Sequence, residues 1–421
     1  MALLYAASPL FNGNKMMADM KNKQGERLFP EYDRNKWKTA AEAADEALKI
    51  AEEGGKELVQ GSTVWPTSML NTIRNIQQSC LDYDYANKEA LLCVRHQRFT
   101  PPVFYHFRVP EEDQDYYDQF RIGGFGASMK MVEMYYTENG LPIDADISWN
   151  YSNRYKLGSE SSPDYEGVIP LNTSVVNLHL RREPRFYASI AGDRMYWQRG
   201  TNTAETDYNL LVKAHKGEEP WGTQYDFIIS NSWQNINGYW LKKHLFSWIQ
   251  TLGYGSSLQG NETAAIIRLA EVYLMQAEAW NEYLDAPDSR VYDPIDKVRE
   301  RAGIKPVREA WGSYSNNPTK VTTKAGMRDI IQQENNIEFA FEGHRYWNLR
   351  RWLIAHQAMN EEQYGWNVLG TTDQAFYNYE TGPIVVWSKN KFIAPRDYLD
   401  PIDAEEILIS GMVQNPGWGG K

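Results

Sequence analysis

The stretch "ENNIEFAFEGHRYWNLRRW", residues 334–352, decides the fold. Glu334, Glu338 and Glu342 recur every four positions, so a helix sets three carboxylates on one face. Like charges at that spacing repel by roughly a few tenths of a kcal/mol per pair. Arg345, just beyond Glu342, is the nearest cation in sequence that offsets this. A carboxylate row on an otherwise apolar helix predicts a buried polar network, tolerated only if nearly every member is hydrogen-bonded. The periodic pattern extends from near Thr323 to Met359 and reads as one helix.

Working upstream, "ETAAIIRLAEVYLMQAEAWNEYL" (262–284) places Ile266, Leu269, Ala270, Tyr273, Ala277 and Trp280 on one helical face. "PIDKVRERAG" (294–303) follows as a second helix, with Asp293 as its N-cap, Pro294 at the first helical position and Gly303 past its end. "WKTAAEAADEALKIAEEGG" (37–55) is a strong amphipathic helix with an Ala-rich stripe from Trp37 to Ala51, stopped by Gly54-Gly55. Small residues at crossings and short connections suit stacked helical hairpins of tetratricopeptide size, although no clean 34-residue period is present.

Between about 56 and 260 the periodicity dissolves into Gly, Pro, Asn, Ser and aromatic residues. A plain loop of that length is incompatible with a compact domain. The segment therefore reads as an irregular subdomain with short helices, such as "SMKMVEMYYTENG" (128–140), and short strands, such as "RFYASIAG" (185–192). The expected fold is mainly α, a helical-hairpin scaffold with a large irregular insertion. Its segments are 1–60, a remnant of N-terminal helices; 61–260, the aromatic-rich ligand-binding subdomain; 261–360, the C-terminal scaffold; and 361–421, a wrapping segment.

Composition bounds the function. Net charge is -11 over 421 residues, which argues against a nucleic-acid binder. No apolar run approaches the roughly 18 residues of a membrane span. Two cysteines, Cys80 and Cys93, make no disulfide framework and read as thiols rather than a bridge. The chain carries 15 Trp, 27 Tyr and 14 Phe; a large core uses many of these, but Trp and Tyr also build flat, half-wet recognition surfaces.

Metal and nucleotide readings are weak. Cys93-x-x-His96 lacks a second close ligand pair for zinc. "DYDYANKE" (82–89) and "DADISWN" (144–150) lack the central Gly of a calcium loop. "GGFGASMKM" (123–131) is a glycine turn with no Gly-Lys-Ser/Thr after it. No cofactor or metal is expected.

The 334–352 stretch resembles the C-terminal signature of the SusD/RagB family, surface lipoproteins of Bacteroidetes nutrient-uptake systems. Glu334, Glu338, Phe341, Glu342, Gly343, Arg345, Leu349, Arg351 and Trp352 match its pattern, and Asn348 replaces the usual Asp. "RLAEVYLMQAEAWNE" (268–282), "VRERAG" (298–303), "RREPRFYASI" (181–190), "MVEMYYTENGLPI" (131–143) and "YLDPIDAEEILISGMVQNPGW" (398–418) resemble further family blocks. Glu183 and Asp403 are departures from the usual residues there. "LLYAASPLFNGN" (3–14) is similar to an internal helix end of the family. That likeness implies that earlier helices, a signal peptide and a lipidated cysteine lie upstream, and that Leu3, Leu4 and Leu10 lack their native cover.

The resemblance implies a non-catalytic protein that captures an oligosaccharide or polysaccharide at the cell surface, lipid-anchored in the outer membrane. It implies delivery to a SusC-like TonB-dependent transporter. A peptide ligand is the alternative within the same system, and an α-helical glycoside hydrolase is the rival from another class, needing two carboxylates across a cleft. Glu338, Glu342 and Arg345 then belong to the scaffold. Ligand contacts are expected on the loop "EEPWGTQYDFIISNSWQNINGYW" (218–240), at Trp221, Tyr225, Trp233 and Asn235, with Trp197 and Trp65 as outliers. Each aromatic platform covering roughly 60 Å² of sugar contributes about 1.5 kcal/mol. Two or three platforms with a few hydrogen bonds give about 4–6 kcal/mol, which is mM to tens-of-μM capture.

Overall fold

A computed structural model of the chain describes residues 1–83, 87–95, 126–198, 209–218, 221–228, 234–243 and 262–419. The opening residues form a short helix, α1 (Ala2–Ala7), which packs on α2 (Asn35–Glu53). On α2 the predicted stripe of Trp37, Ala40, Ala41, Ala44 and Leu48 is buried. Leu4 and Leu10 are buried as well, at 4% and 5% exposure, against the expectation that both lack cover; only Leu3 is exposed. The physical reason is local, since α2 covers Leu4 while Leu10 joins a small cluster with Met17, Phe29, Leu349 and Tyr398.

Next come α3 (Ser68–Cys80), α4 (Met129–Met134) and α5 (Pro184–Ser189). Helix α4 is shorter than the 128–140 pattern predicts. Ser128 caps it by accepting from the Met131 N–H, and the chain turns extended at Tyr135. Tyr135 and Tyr136 are then buried, and the Tyr136 N–H donates to Glu183 Oε1 at 3.0 Å. The strand expected over 185–192 is a helix for its first part. Pro184 sits in the first turn of α5, where its missing N–H costs nothing, and only Ile190–Gly192 is extended.

The helical scaffold resumes with a strand, not a helix. Residues Glu262–Arg268 pair antiparallel with Leu81–Tyr83 on one side and Ala90–Arg95 on the other, forming the centre of a three-stranded sheet. Helix α6 begins only at Leu269 and ends at Tyr283. The run "ETAAIIR" carries β-branched residues that suit a strand with neighbours on both sides, so Ile266 lies exposed on the sheet rather than on a helix face.

Helix α7 (Ser289–Arg301) starts earlier than predicted. Asp288, not Asp293, accepts from the Arg290 N–H as the cap, and Pro294 lies inside the helix. The lost backbone bond at Pro294 is offset by burial of Val291 and Ile295 against α6. Gly303 follows the C-cap Ala302 with φ +73, as predicted.

Thr323 caps α9 (Lys324–Glu338), which follows α8 (Val307–Tyr314). The single long helix expected to Met359 is broken: Phe341 (φ +65) and Gly343 (φ +85) turn the chain before α10 (His344–Arg351). Trp37, Leu269, Val291 and Ile331 belong to the helical core, while a second core joins Tyr135, Phe186, Trp197, Trp240 and Trp366. Cys80 is a buried thiol and Cys93 an exposed one.

Candidate functional site

The carboxylate row is buried, and its partners arrive from distant segments. Glu334 receives Arg185 Nη1 at 2.6 Å and Arg299 Nη1 at 2.9 Å. Glu338 takes Arg268 Nη1 at 2.6 Å, Arg185 Nη1 at 3.1 Å and Arg301. Glu342 takes Arg268 Nη2 at 2.8 Å and Lys243 Nζ at 2.6 Å. Glu89 and Glu183 complete the set through Arg268, Arg301 and Arg185. Burial pushes the Glu338 carboxyl up, but Arg301, Arg268 and Arg185 outweigh it and hold it far below the usual range. Arg345 takes no part, correcting the sequence expectation; the break at Phe341–Gly343 turns it away, and burial lowers its pKa. The network is scaffold: it locks α9 to the sheet and to α5.

The expected ligand contacts are placed as follows. Trp197 and Trp65 lie in the irregular core at 2% and 5% exposure, and Trp221 at 6%. Trp221 is wedged between Trp197 and Trp240, both at 5.3 Å between ring centroids. Rings so covered have no face for a sugar, so these three are corrected to core packing. Asn235 is buried too, its Nδ2 donating to the Tyr239 carbonyl at 2.7 Å while Oδ1 accepts from the Asn237 and Gly238 N–H groups. It builds a turn, not a binding wall. Tyr225 is exposed. Trp233 lies outside the described residues.

An open cleft of about 620 Å³ lies elsewhere. Helix α4 contributes Met129, Lys130 and Glu133; Tyr155 closes one side; Glu361, Glu362 and Tyr364 line another, with Thr381 and Pro383 beyond. Lys130 and Glu133 are one turn apart, which brings both to the same face of α4. An ion pair between Lys130 and Glu361 ties that helix to the strand Gln363–Gly365. This strand pairs antiparallel with Ile384–Trp387, opposing Tyr364 to Val385.

Tyr155 lines the cleft and is held there by four neighbours, Glu133, Trp366, Arg154 and Gly382. Its hydroxyl donates to Glu133 Oε1 at 2.5 Å, and its ring meets the buried Trp366 edge-on at 5.7 Å. The Arg154 guanidinium lies 4.1 Å from the Tyr155 ring and 4.0 Å from that of Tyr151, while its Nε donates to Glu133 at 2.8 Å. Gly382 adopts φ +75 against the same ring, where a Cβ would approach Tyr155 Cδ2 to 2.8 Å. Burial and the Glu133 carboxylate raise the Tyr155 pKa, so the phenol keeps its proton and remains a donor. Tyr364 is 41% exposed, and its hydroxyl donates to Glu362 Oε2 at 3.0 Å. The cleft thus presents a rigid aromatic edge, an exposed ring, two apolar side chains and several strong acceptors, the composition that suits a polyhydroxylated ligand.

Sequence reasoning passes over all of these residues. "EEQYGW" (361–366), acids beside aromatics, is the available signal, and it sits in a segment that reads as wrapping.

A second polar cluster gathers Asp193, His215 and Glu218, whose ligand-capable atoms lie within 4.8 Å of one another. His215 Nε2 faces Asp193 at 3.3 Å and Asp373 at 3.4 Å, whereas Nδ1 faces Glu218 at 3.7 Å. Carboxylates thus flank both ring nitrogens, and Arg194 bridges Asp193 and Glu218. That is the surrounding of an imidazolium rather than of one metal ion. Burial pulls the His215 pKa down, but Asp193 and Glu218 override it and raise it.

The SusD family model matches residues 96–418. Two SusD-like proteins of Formosa agariphila, P2 and P25, are 29% and 28% identical over 157 and 150 residues. Each match covers 36% of this chain but only 25% and 23% of those relatives, so it spans about a quarter of their length. Among solved structures, BT4246 superposes with a TM-score of 0.77 at 24% identity, over 99% of this chain and 69% of that one. A SusD-like protein of Bacteroides fragilis, BF3747, gives 0.59 at 19% identity, over 96% and 68%. These likenesses establish a mainly helical SusD-type fold. No helix among the described residues is long and apolar enough to cross a membrane.

Proposed function

Because the chain belongs to the SusD family, we propose that it is a non-catalytic binding protein that captures an oligosaccharide in the cleft beside Tyr155 and Tyr364. The rigidly buttressed Tyr155 edge next to the exposed Tyr364 ring is the observation that carries this reading. A sugar offers apolar C–H faces to such rings and hydroxyl donors to the carboxylates around them. Tyr225, exposed on the loop expected to bind, and Trp233 are proposed as outlying contacts. The family further supports a lipid-anchored position at the outer-membrane surface and hand-over of the ligand to a SusC-like TonB-dependent transporter.

Titration calorimetry against neutral glucans, mannans, galactans and xylans tests the reading, with Tyr364→Ala as the control. The variant should bind about tenfold more weakly while its melting temperature stays close to that of the parent. Release of reducing ends from any of these glycans would overturn the non-catalytic assignment.

A further inference from the structure

Resting on that reading of the cleft, we infer that the Lys130–Glu361 ion pair is the element that reads the sugar, gripping two adjacent hydroxyls of one ring as a donor and an acceptor side by side. The lining is rich in acceptors, with the carboxylates of Glu133, Glu361 and Glu362. Its aromatic donors are spent: the Tyr155 hydroxyl donates to Glu133 and the Tyr364 hydroxyl to Glu362. Lys130 differs. Its ammonium carries three N–H donors, and Glu361 is its one partner among the described residues. Both side chains of the pair are open to a ligand, at 40% and 49% exposure.

A sugar hydroxyl donates one hydrogen bond and accepts others. Carboxylates satisfy only its donating half and leave the oxygen lone pairs unmet. An ammonium and a carboxylate in an ion pair generally stand roughly 3 Å apart, which matches the spacing of neighbouring hydroxyls held gauche on a pyranose ring. One hydroxyl then donates to Glu361 while its neighbour accepts from a spare Lys130 N–H, and both bonds are charge-assisted. Net charge does not select the ligand here. Glu133, Glu361 and Glu362 are matched by Lys130, Arg154 and Arg345, the last acting on Glu361 from beyond ion-pair distance. The arrangement of adjacent hydroxyls is what the pair distinguishes.

Affinity electrophoresis on neutral glucan, mannan, galactan and xylan, each paired with its own O-methylated derivative, tests this directly. Methylation removes hydroxyl donors and keeps the rings. The parent should be retarded by at least one free glycan, and about tenfold less by its methylated form. Lys130→Met keeps the bulk of the side chain but no donor, and Arg345 still acts on Glu361, so the carboxylate is not left without a cation. That variant should bind the free glycan about tenfold more weakly than the parent, and its preference for the free over the methylated form should narrow severalfold. Lys130→Arg restores a cationic donor and should recover most of the affinity. A Lys130→Met variant retarded as strongly as the parent, or weakened alike toward free and methylated glycan, would overturn the inference; loss of retardation in Tyr364→Ala would then leave the glycan reading standing. Equal retardation of the parent by both forms would overturn it as well, whatever the folding of the variants. Retardation by no free glycan would overturn the glycan reading itself, and this inference with it.

Discussion

Arg351 grips Glu278 with both ends of its guanidinium, Nη1 to Oε1 at 2.5 Å and Nη2 to Oε2 at 2.6 Å. Both residues are buried, and the pair joins α10 to α6. Trp352 Nε1 adds a third donor to the same carboxylate at 2.8 Å, and Arg351 Nη1 also reaches Ser8 Oγ at 3.1 Å. The end of α1, the scaffold and the signature helix thus meet at one fork-to-fork contact.

Arg351→Lys should therefore not behave as a conservative change. An ammonium keeps the charge but cannot span both carboxylate oxygens, leaving part of Glu278 buried and unpaired. The expected loss is about 2–4 kcal/mol in urea unfolding. Glu278→Leu/Arg351→Met removes both charges and should recover at least half of that loss; a double variant as unstable as the single one would contradict this account.

Glu271 supplies a pH-dependent prediction. Burial lifts its pKa, Arg268 opposes and Glu342 adds to the rise, and the carboxyl is pushed up to about 7. His344 Nδ1 stands 3.5 Å from Oε1, while Oε2 finds no hydrogen-bond partner among the described residues. In the fold this group holds its proton up to about pH 7, but the unfolded chain releases it near the ordinary value of 4.5. The native state binds the extra proton, so stability from this group falls as pH rises from about 4.5 to 7. Glu271→Gln should remove that slope and gain about 1–3 kcal/mol at pH 8 relative to the parent. Unfolding curves at pH 5 and pH 8 measure the difference, and an unchanged slope would assign the pH dependence to other groups.

Gly382 fixes the position of Tyr155 in the cleft. Its φ of +75 disfavours any side chain, and a Cβ there would press into the Tyr155 ring. Gly382→Ala should cost about 1–2 kcal/mol from backbone strain. It should also weaken oligosaccharide binding by displacing Tyr155. Loss of stability with full affinity would show that the ring position is unimportant.

The buried acid row is legible because a four-residue repeat of Glu among apolar residues points to a buried ionic network, although Glu342 lies in the turn beyond the end of α9. Its partners are not legible. Arg268 and Arg185 lie 70 and 153 residues from Glu338, and Arg345 is simply nearer in sequence. The cleft is hidden for the same reason, since Lys130 and Glu361 meet across 231 residues. Strand 262–268 departs from its helical reading because "TAAII" satisfies a helical stripe and a strand equally, and its two neighbours decide the outcome. The aromatic loop misleads in another way. Tryptophan content does not say whether a ring is half wet or enclosed; Trp221 packs between Trp197 and Trp240, and Trp197 is buried against Trp221.

That last distinction yields a direct test. Trp221→Phe and Trp197→Phe each remove part of a ring from a packed aromatic cluster, leaving a small cavity. Each should destabilise the protein by about 1–3 kcal/mol, seen as a lower melting temperature. Neither ring borders the cleft, so below the new melting temperature each variant should bind oligosaccharide as tightly as the parent. Tyr364→Ala should show the opposite pair of results, near-native stability with weakened binding, because its ring lies at the surface. If folded Trp221→Phe instead loses affinity while Tyr364→Ala keeps it, the ligand binds on the 218–240 loop and the cleft is not the site.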